Sequence, residues 1–255
     1  MTTRLEIKLL ELTKNRKRIS TADLAKDVSM DIVTIQRGLA HLRESGFVTI
    51  GEDVLEQSSG QRMLMVEKLI QDGCDVQRVS RLLDWQEFEE FIENALVSNG
   101  YRTIHHYVFK SKLGRREIDV LAWNDVWILA IDCKHWRRQI THSRMNAIAD
   151  AQIERVRALA ERTDLLQKCG IRNLDLSIVA VVLVLGEPLD RMINGVPVVA
   201  VTRFGSFLHE GSPYERHITA IEVKCVSEQT SLLALFPSRR NRRPNLRQDV
   251  GRRQP

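Results

Sequence analysis

Two aspartates and a lysine stand on neighbouring apolar stretches at a spacing that could do chemistry. Glu117–Trp123 and Val126–His135 read as paired strands joined by a tight turn near Asn124-Asp125. Side chains alternate faces along a strand. In the second stretch Trp127, Leu129 and Ile131 face one way, and Asp132 and Lys134 face the other. In the first, Ile118, Val120 and Ala122 share a face, with Glu117 and Asp119 opposite. If both apolar sets pack on one core, Asp119 and Asp132 share a face, directly opposed or one step diagonal, about 5–8 Å apart. Two carboxylates that close repel each other unless a cation compensates. Oxygen ligands of this kind suit Mg²⁺ or Mn²⁺. Lys134 points to the same place, where it can orient an attacking water or neutralise charge developing on a phosphorane. The plain alternative is an exposed Asp–Lys ion pair, less natural in the mostly apolar run ILAIDCKHW.

The helix ahead of these strands, Glu87–Ser98, carries Phe88, Phe91, Ile92, Ala95 and Leu96 on its apolar side and ends at Asn99-Gly100. Asp119, then Asp132-Cys133-Lys134, resembles the PD-(D/E)xK nuclease superfamily. The segment WQEFEEFIENALVSNGY resembles the opening helix of Mrr-like restriction endonucleases and archaeal Holliday-junction resolvases, in which a glutamate precedes a Gly-Tyr pair by about eleven residues. Here Glu89 stands in that place before Gly100-Tyr101. The resemblance covers Asp84–Ala158. It implies that Asp119 and Asp132 bind Mg²⁺ or Mn²⁺ together with the backbone carbonyl of Cys133, that Lys134 positions the nucleophilic water, and that Glu89 completes the metal site. Glu87, Glu90 and Glu117 are alternatives to Glu89, and Gln152 matches a glutamine of some branches. Arg137, Arg138 and His135 are candidate phosphate contacts. Two departures stand out: Ile118 replaces the motif's proline, and Asp132 its commoner glutamate. A second E-x-K, Glu222-Val223-Lys224, has no aspartate on a paired strand before it and reads as core-edge packing.

The N-terminal sixty residues read as a separate small module. Leu5–Thr13, Ala22–Val28 (capped by Ser20 or Thr21) and Asp31–Ser45 have helical spacing, the last with Val33, Ile35, Leu39 and Leu42 available to a core. Gly46 stops that helix, and residues 47–55 read as a hairpin turning near Gly51. This order resembles a winged helix, which implies that Thr34, Gln36, Arg37 and Arg43 face DNA. The expected organisation is a winged-helix domain at 1–60, a helical linker at 61–84 (Met63–Gln71 and Val76–Leu83), a nuclease domain at 85–237 and a basic tail at 238–255.

Further on, Tyr101–Lys110 reads as a strand, Lys112–Arg116 as a basic turn and Ser143–Leu166 as one long helix. Leu176–Leu185, Val196–Thr202 and Ala220–Cys225 read as strands. The expected fold class is α/β: a restriction-endonuclease-like mixed sheet flanked by helices, plus the N-terminal winged helix.

Composition agrees with a globular protein: 43% of the 255 residues are hydrophobic and 28% charged. No apolar run reaches the roughly 18–20 residues of a membrane span. The four cysteines form no C-x-x-C pair and read as reduced thiols, which with the absent signal peptide suggests a cytoplasmic protein. Seven arginines against one aspartate in Ser238–Pro255 give +6 of a total +5, leaving −1 for the rest. Such a tail suits phosphate contact or a solvated terminus. The function expected is a metal-dependent DNA endonuclease of restriction or repair type, with DNA as partner and a homodimer suited to cutting both strands. The alternative is a winged-helix DNA-binding regulator or scaffold with an inactive nuclease-like domain.

Overall fold

The computed structural model describes residues 2–28, 30–51, 54–112, 114–136, 140–171, 177–210 and 217–223. Arg137, Arg138, Lys224 and the basic tail lie outside them.

The chain opens with α1 (Thr2–Thr13), β1 (Arg18–Ser20), α2 (Thr21–Asp27) and α3 (Ile32–Glu44). Ser20 caps α2 by accepting from Asp23 N, and Asp31 caps α3 by accepting from Thr34 N. Gly46, at φ +76°, turns the chain out of α3 into β2 (Thr49–Ile50) and β3 (Val54–Glu56). Gly38 lets α3 press on α1, since a Cβ there would sit 2.5 Å from Leu5 Cδ2. β1 joins the hairpin in an antiparallel sheet of order β1-β3-β2. That third strand was not expected, because three residues carry too little periodicity to read. Val33 is 58% exposed and not in the core, whereas Ile35, Leu39 and Leu42 are buried.

Two helices follow, α4 (Ser59–Gln71) and α5 (Val76–Ser80), separated by a turn that needs Gly73 at φ +87°. They are not a loose connection. Arg62 is fully buried and spans several elements: it donates to Glu87 Oε1 at 2.8 Å, to the Leu10 carbonyl at 2.8 Å and to the Leu82 carbonyl at 2.6 Å. Leu5, Leu39, Leu69, Phe88, Val120 and Val181 belong to one continuous buried cluster.

α6 (Trp85–Ser98) starts on a capping box in which Asp84 and Glu87 bond each other's backbone N–H. The main sheet runs β4 (Arg102–Ser111), β5 (Gly114–Trp123), β6 (Ile128–Lys134), β7 (Ser177–Val184), β9 (Val196–Ala200) and β8 (Met192–Ile193), with β10 (Ala220–Glu222) beside β7. β4, β5 and β6 are antiparallel, while β6, β7 and β9 are parallel, giving a mixed sheet. One face carries Val120, Ala122, Leu129, Ile131 and Cys133 against α6. The other carries Leu121, Trp123, Ile128 and Ala130 against α7 (His142–Ala160). This α/β architecture is the restriction-endonuclease-like mixed sheet flanked by helices.

Three expectations are corrected. Helix Ser143–Leu166 is two helices, α7 and α8 (Thr163–Lys168), because Arg162 leaves helical geometry at φ −118°, ψ 63° and binds Asp164 with both Nε and Nη2. Arg115 and Arg116 belong to β5 and not to a turn. Val196–Thr202 ends as a strand at Ala200 and passes through a 3-10 turn into α9 (Phe204–Glu210).

Candidate active site

The β5–β6 ladder pairs Trp123 with Ile128 and Val120 with Ile131. The ladder ends at Val120–Ile131, just before Asp119, whose carboxyl feels the charge of Asp132. On the other side, β4 pairs His105 with Val120 and Tyr107 with Ile118, and the ladder skips the His106–Asp119 position between them. The alternation of β5 breaks here too. Val120 and Ala122 face α6, but Ile118 packs with Leu121 and Trp123 on the α7 side. Strict two-residue alternation had put Ile118 with Val120. The break lets Asp119 turn its Oδ2 across to accept from the Cys133 N–H at 2.8 Å.

Asp132 is 3% exposed and sits between two cations. Lys134 Nζ lies 2.6 Å from its Oδ2, and Arg155 Nη1 lies 2.9 Å from its Oδ1. Arg155 is in turn fixed by Gln152, whose Oε1 accepts from it at 2.8 Å while its Nε2 donates to the Ala130 carbonyl at 2.8 Å. Gln152 therefore positions Arg155. Sequence reasoning missed Arg155, although it follows Gln152 by three residues on one helical face.

Glu89 is fully buried on α6. Burial first, and then the charge of Asp119, pushes its carboxyl up to about 7, against the pull of His106 and Lys134. Asp119 is also raised, by burial first and by Asp132 second, with the Cys133 N–H and Lys134 pulling it back. Glu89, Asp119, Asp132 and Lys134 thus feel one another's charges. Of the alternatives to Glu89, Glu87 is consumed by Arg62 and Glu117 contacts His106 at 3.1 Å. Burial raises the Cys133 thiol well above its ordinary value, so this side chain is core and not a nucleophile.

Carboxylate oxygens such as those of Asp119 and Asp132 are the donors a hard divalent cation takes, and positive charge there would offset the burial, and then the carboxylate repulsion, that raise Glu89 and Asp119.

Two further residues enter that sequence reasoning did not single out. His105 Nε2 lies 3.1 Å from Glu89 Oε2, and His106 Nε2 lies 3.3 Å from the same atom. Neighbours on a strand point to opposite faces. His106, at φ 49°, cancels that alternation, and the two rings stack with centroids 4.1 Å apart. A His-His pair in the strand opposite Asp119 was the available signal.

The half-buried His135 ring bonds the Ser80 carbonyl at 3.0 Å and packs on Phe88. On α3, Gln36, Arg37 and Arg43 are exposed and Thr34 is half-buried.

Residues 80–160 match the family model Mrr_cat, restriction endonuclease, and form a nuclease-type domain. No curated protein matches the chain. Among solved structures, one described as a protein of unknown function, AF1548, is 18% identical at TM-score 0.27, over 38% of this chain and 44% of its own. Protein VC1899 from Vibrio cholerae is 10% identical at TM-score 0.37, over 84% of this chain and 51% of its own. The chain thus spans about half the length of these structures or less.

Proposed function

We propose that this chain is a metal-dependent DNA endonuclease whose N-terminal sixty residues form a winged-helix DNA-binding module. The observation that carries the reading is the charge-coupled group Glu89, Asp119, Asp132 and Lys134, gathered where β5 leaves its ladder, inside the restriction-endonuclease match. Glu89, Asp119 and Asp132, with the Cys133 carbonyl, would hold Mg²⁺ or Mn²⁺. When bound, such an ion supplies positive charge to the oxygens of the scissile phosphate. Lys134 keeps its ammonium beside Asp132, where it can orient the attacking water and donate to the phosphorane as charge develops. Arg155 holds the second oxygen of Asp132, so the carboxylate's orientation is set before DNA arrives. The water oxygen bonds to phosphorus as the phosphorus–oxygen bond to the deoxyribose oxygen of the leaving strand breaks, with water's proton passing to solvent and the leaving oxygen taking one from solvent. On α3, Gln36, Arg37 and Arg43, which are exposed, would meet a groove together with Thr34.

The test is nicking of supercoiled plasmid by the full chain. We expect cleavage with Mg²⁺ or Mn²⁺, none with EDTA, and a loss of about 10²–10³-fold or more in Asp119→Ala, Asp132→Ala and Lys134→Ala. Full activity in both Asp132→Ala and Lys134→Ala would overturn it. The two cations on Asp132 favour a second reading, a DNA-binding protein with an inactive nuclease-like domain, since they already neutralise that carboxylate. Absence of Mg²⁺ and Mn²⁺ binding by calorimetry would select it.

A further inference from the structure

We propose that Glu89, His105 and His106 form a binding site for a first-row transition-metal dication of the Zn²⁺ class, distinct in its donors from the carboxylate set at Asp119 and Asp132.

Among the described residues, these three offer ligand atoms that all lie within 4.8 Å of one another. Both imidazoles present Nε2 to the same carboxylate oxygen, at 3.1 and 3.3 Å. Both turn the other ring nitrogen to an acidic neighbour: His106 Nδ1 is 3.1 Å from Glu117 Oε1, and His105 Nδ1 is 3.8 Å from Glu93 Oε2. At His106 an N–H donated from Nδ1 to Glu117 leaves the Nε2 lone pair facing inward; at His105, whose Nδ1 is beyond hydrogen-bond reach of Glu93, Nε2 shares a proton with Glu89 that an incoming ion displaces. Carboxylates behind histidines in this way are the usual support of a metal-ligating imidazole. Glu93 is itself held, accepting from Thr103 Oγ1 at 2.8 Å.

The buried carboxylate adds an independent observation. Glu89 is 0% exposed, and its Oε1 is buried without a hydrogen-bond partner. A carboxylate oxygen left so is costly unless a cation meets it. The backbone adds another. His106 holds a left-handed φ of 49° that a non-glycine residue adopts at a cost, and the result is that both rings reach one face. The rings are about a quarter and a third exposed, so they can close the remaining distance on an ion.

Two imidazoles and one carboxylate are borderline-soft donors. They suit Zn²⁺, Co²⁺, Ni²⁺ or Fe²⁺ rather than Mg²⁺, and leave a fourth position open. An ion here takes up Glu89. On the nuclease reading it therefore competes with the Mg²⁺ set for that residue, and micromolar Zn²⁺ would restrain Mg²⁺-supported cutting.

The test uses the full chain with Co²⁺ as a spectroscopic probe and Zn²⁺ in calorimetry, both in excess Mg²⁺. We expect visible d–d absorption on Co²⁺ addition, bleached by Zn²⁺, with about one ion per chain. His106→Asn tolerates a left-handed φ and His105→Gln keeps a polar side chain; each should weaken Zn²⁺ about tenfold or more, and Glu117→Gln by a similar factor through the supporting hydrogen bond. Asp132→Ala should leave the Co²⁺ spectrum unchanged, which separates this site from the proposed catalytic one. Unaltered Zn²⁺ affinity in a folded His105→Gln/His106→Asn double variant, or no Co²⁺ spectrum in the native chain, overturns the proposal whether or not the protein cuts DNA.

Discussion

Glu89 shows what a single buried acid costs a protein that keeps it. Its pKa is near 7 when folded against an ordinary value of 4.5, so the folded chain binds that proton more tightly than the unfolded one. Ionisation therefore opposes folding, and the metal-free protein should lose stability as pH rises through the window from about 4.5 to about 7. Glu89→Gln removes the charge and keeps the shape. In thermal melts with EDTA it should gain about 1–2 kcal/mol at pH 8 and much less at pH 5; an equal effect at both values would refute the assignment. Lys134 and Asp132 were legible from spacing alone, because a lysine two residues beyond an acid on a strand shares its face. Arg155 was not, since its role depends on which face of α7 meets the sheet.

At the level of elements, α6, the β5–β6 hairpin and α3 were readable because each combines periodicity with a stop signal: Asn99-Gly100, Asn124-Asp125 and Gly46. The failures share a cause. Period-two reasoning assumes an undisturbed ladder, and the ladder is disturbed at Asp119 and His106, so Ile118 changed faces and the two histidines came together. The break after α7 was hidden because Leu165 and Leu166 continue the apolar pattern past Arg162. The local geometry of β4 makes its own prediction. A β-branched residue tolerates φ 49° badly, whereas glycine adopts it freely. Urea denaturation of the metal-free protein should place His106→Val below the native chain by about 1–2 kcal/mol and His106→Gly above His106→Val. Equal stability of the two would mean that the turn of β4 carries no strain.

Over the whole molecule, sequence reading expected an N-terminal module joined through a linker. The described residues from α1 to β10 fall within one compact unit ending at Lys224, and Arg62 sits at its interior crossing. A buried cation holding Glu87, two carbonyls and Thr13 cannot be inferred from an arginine in an amphipathic helix, where exposure is the ordinary expectation. Arg62→Met should strand Glu87 as a buried charge and cost about 3–5 kcal/mol. Arg62→Met/Glu87→Gln should recover part of that loss in the same urea titration, since the glutamine can still cap Asp84. If the double variant is no better than the single, the loss is one of packing and not of charge.

On the nuclease reading that arginine would also set a length. With α1, α4 and α6 tied through one side chain, the exposed face of α3 and the carboxylates beside β5 would keep a constant separation. A chain that grips DNA by the first and cuts it with the second would act as a ruler, leaving breaks at one offset from the gripped groove. End-mapping of cleavage products should show a single offset for the native chain and a spread of offsets for Arg62→Met.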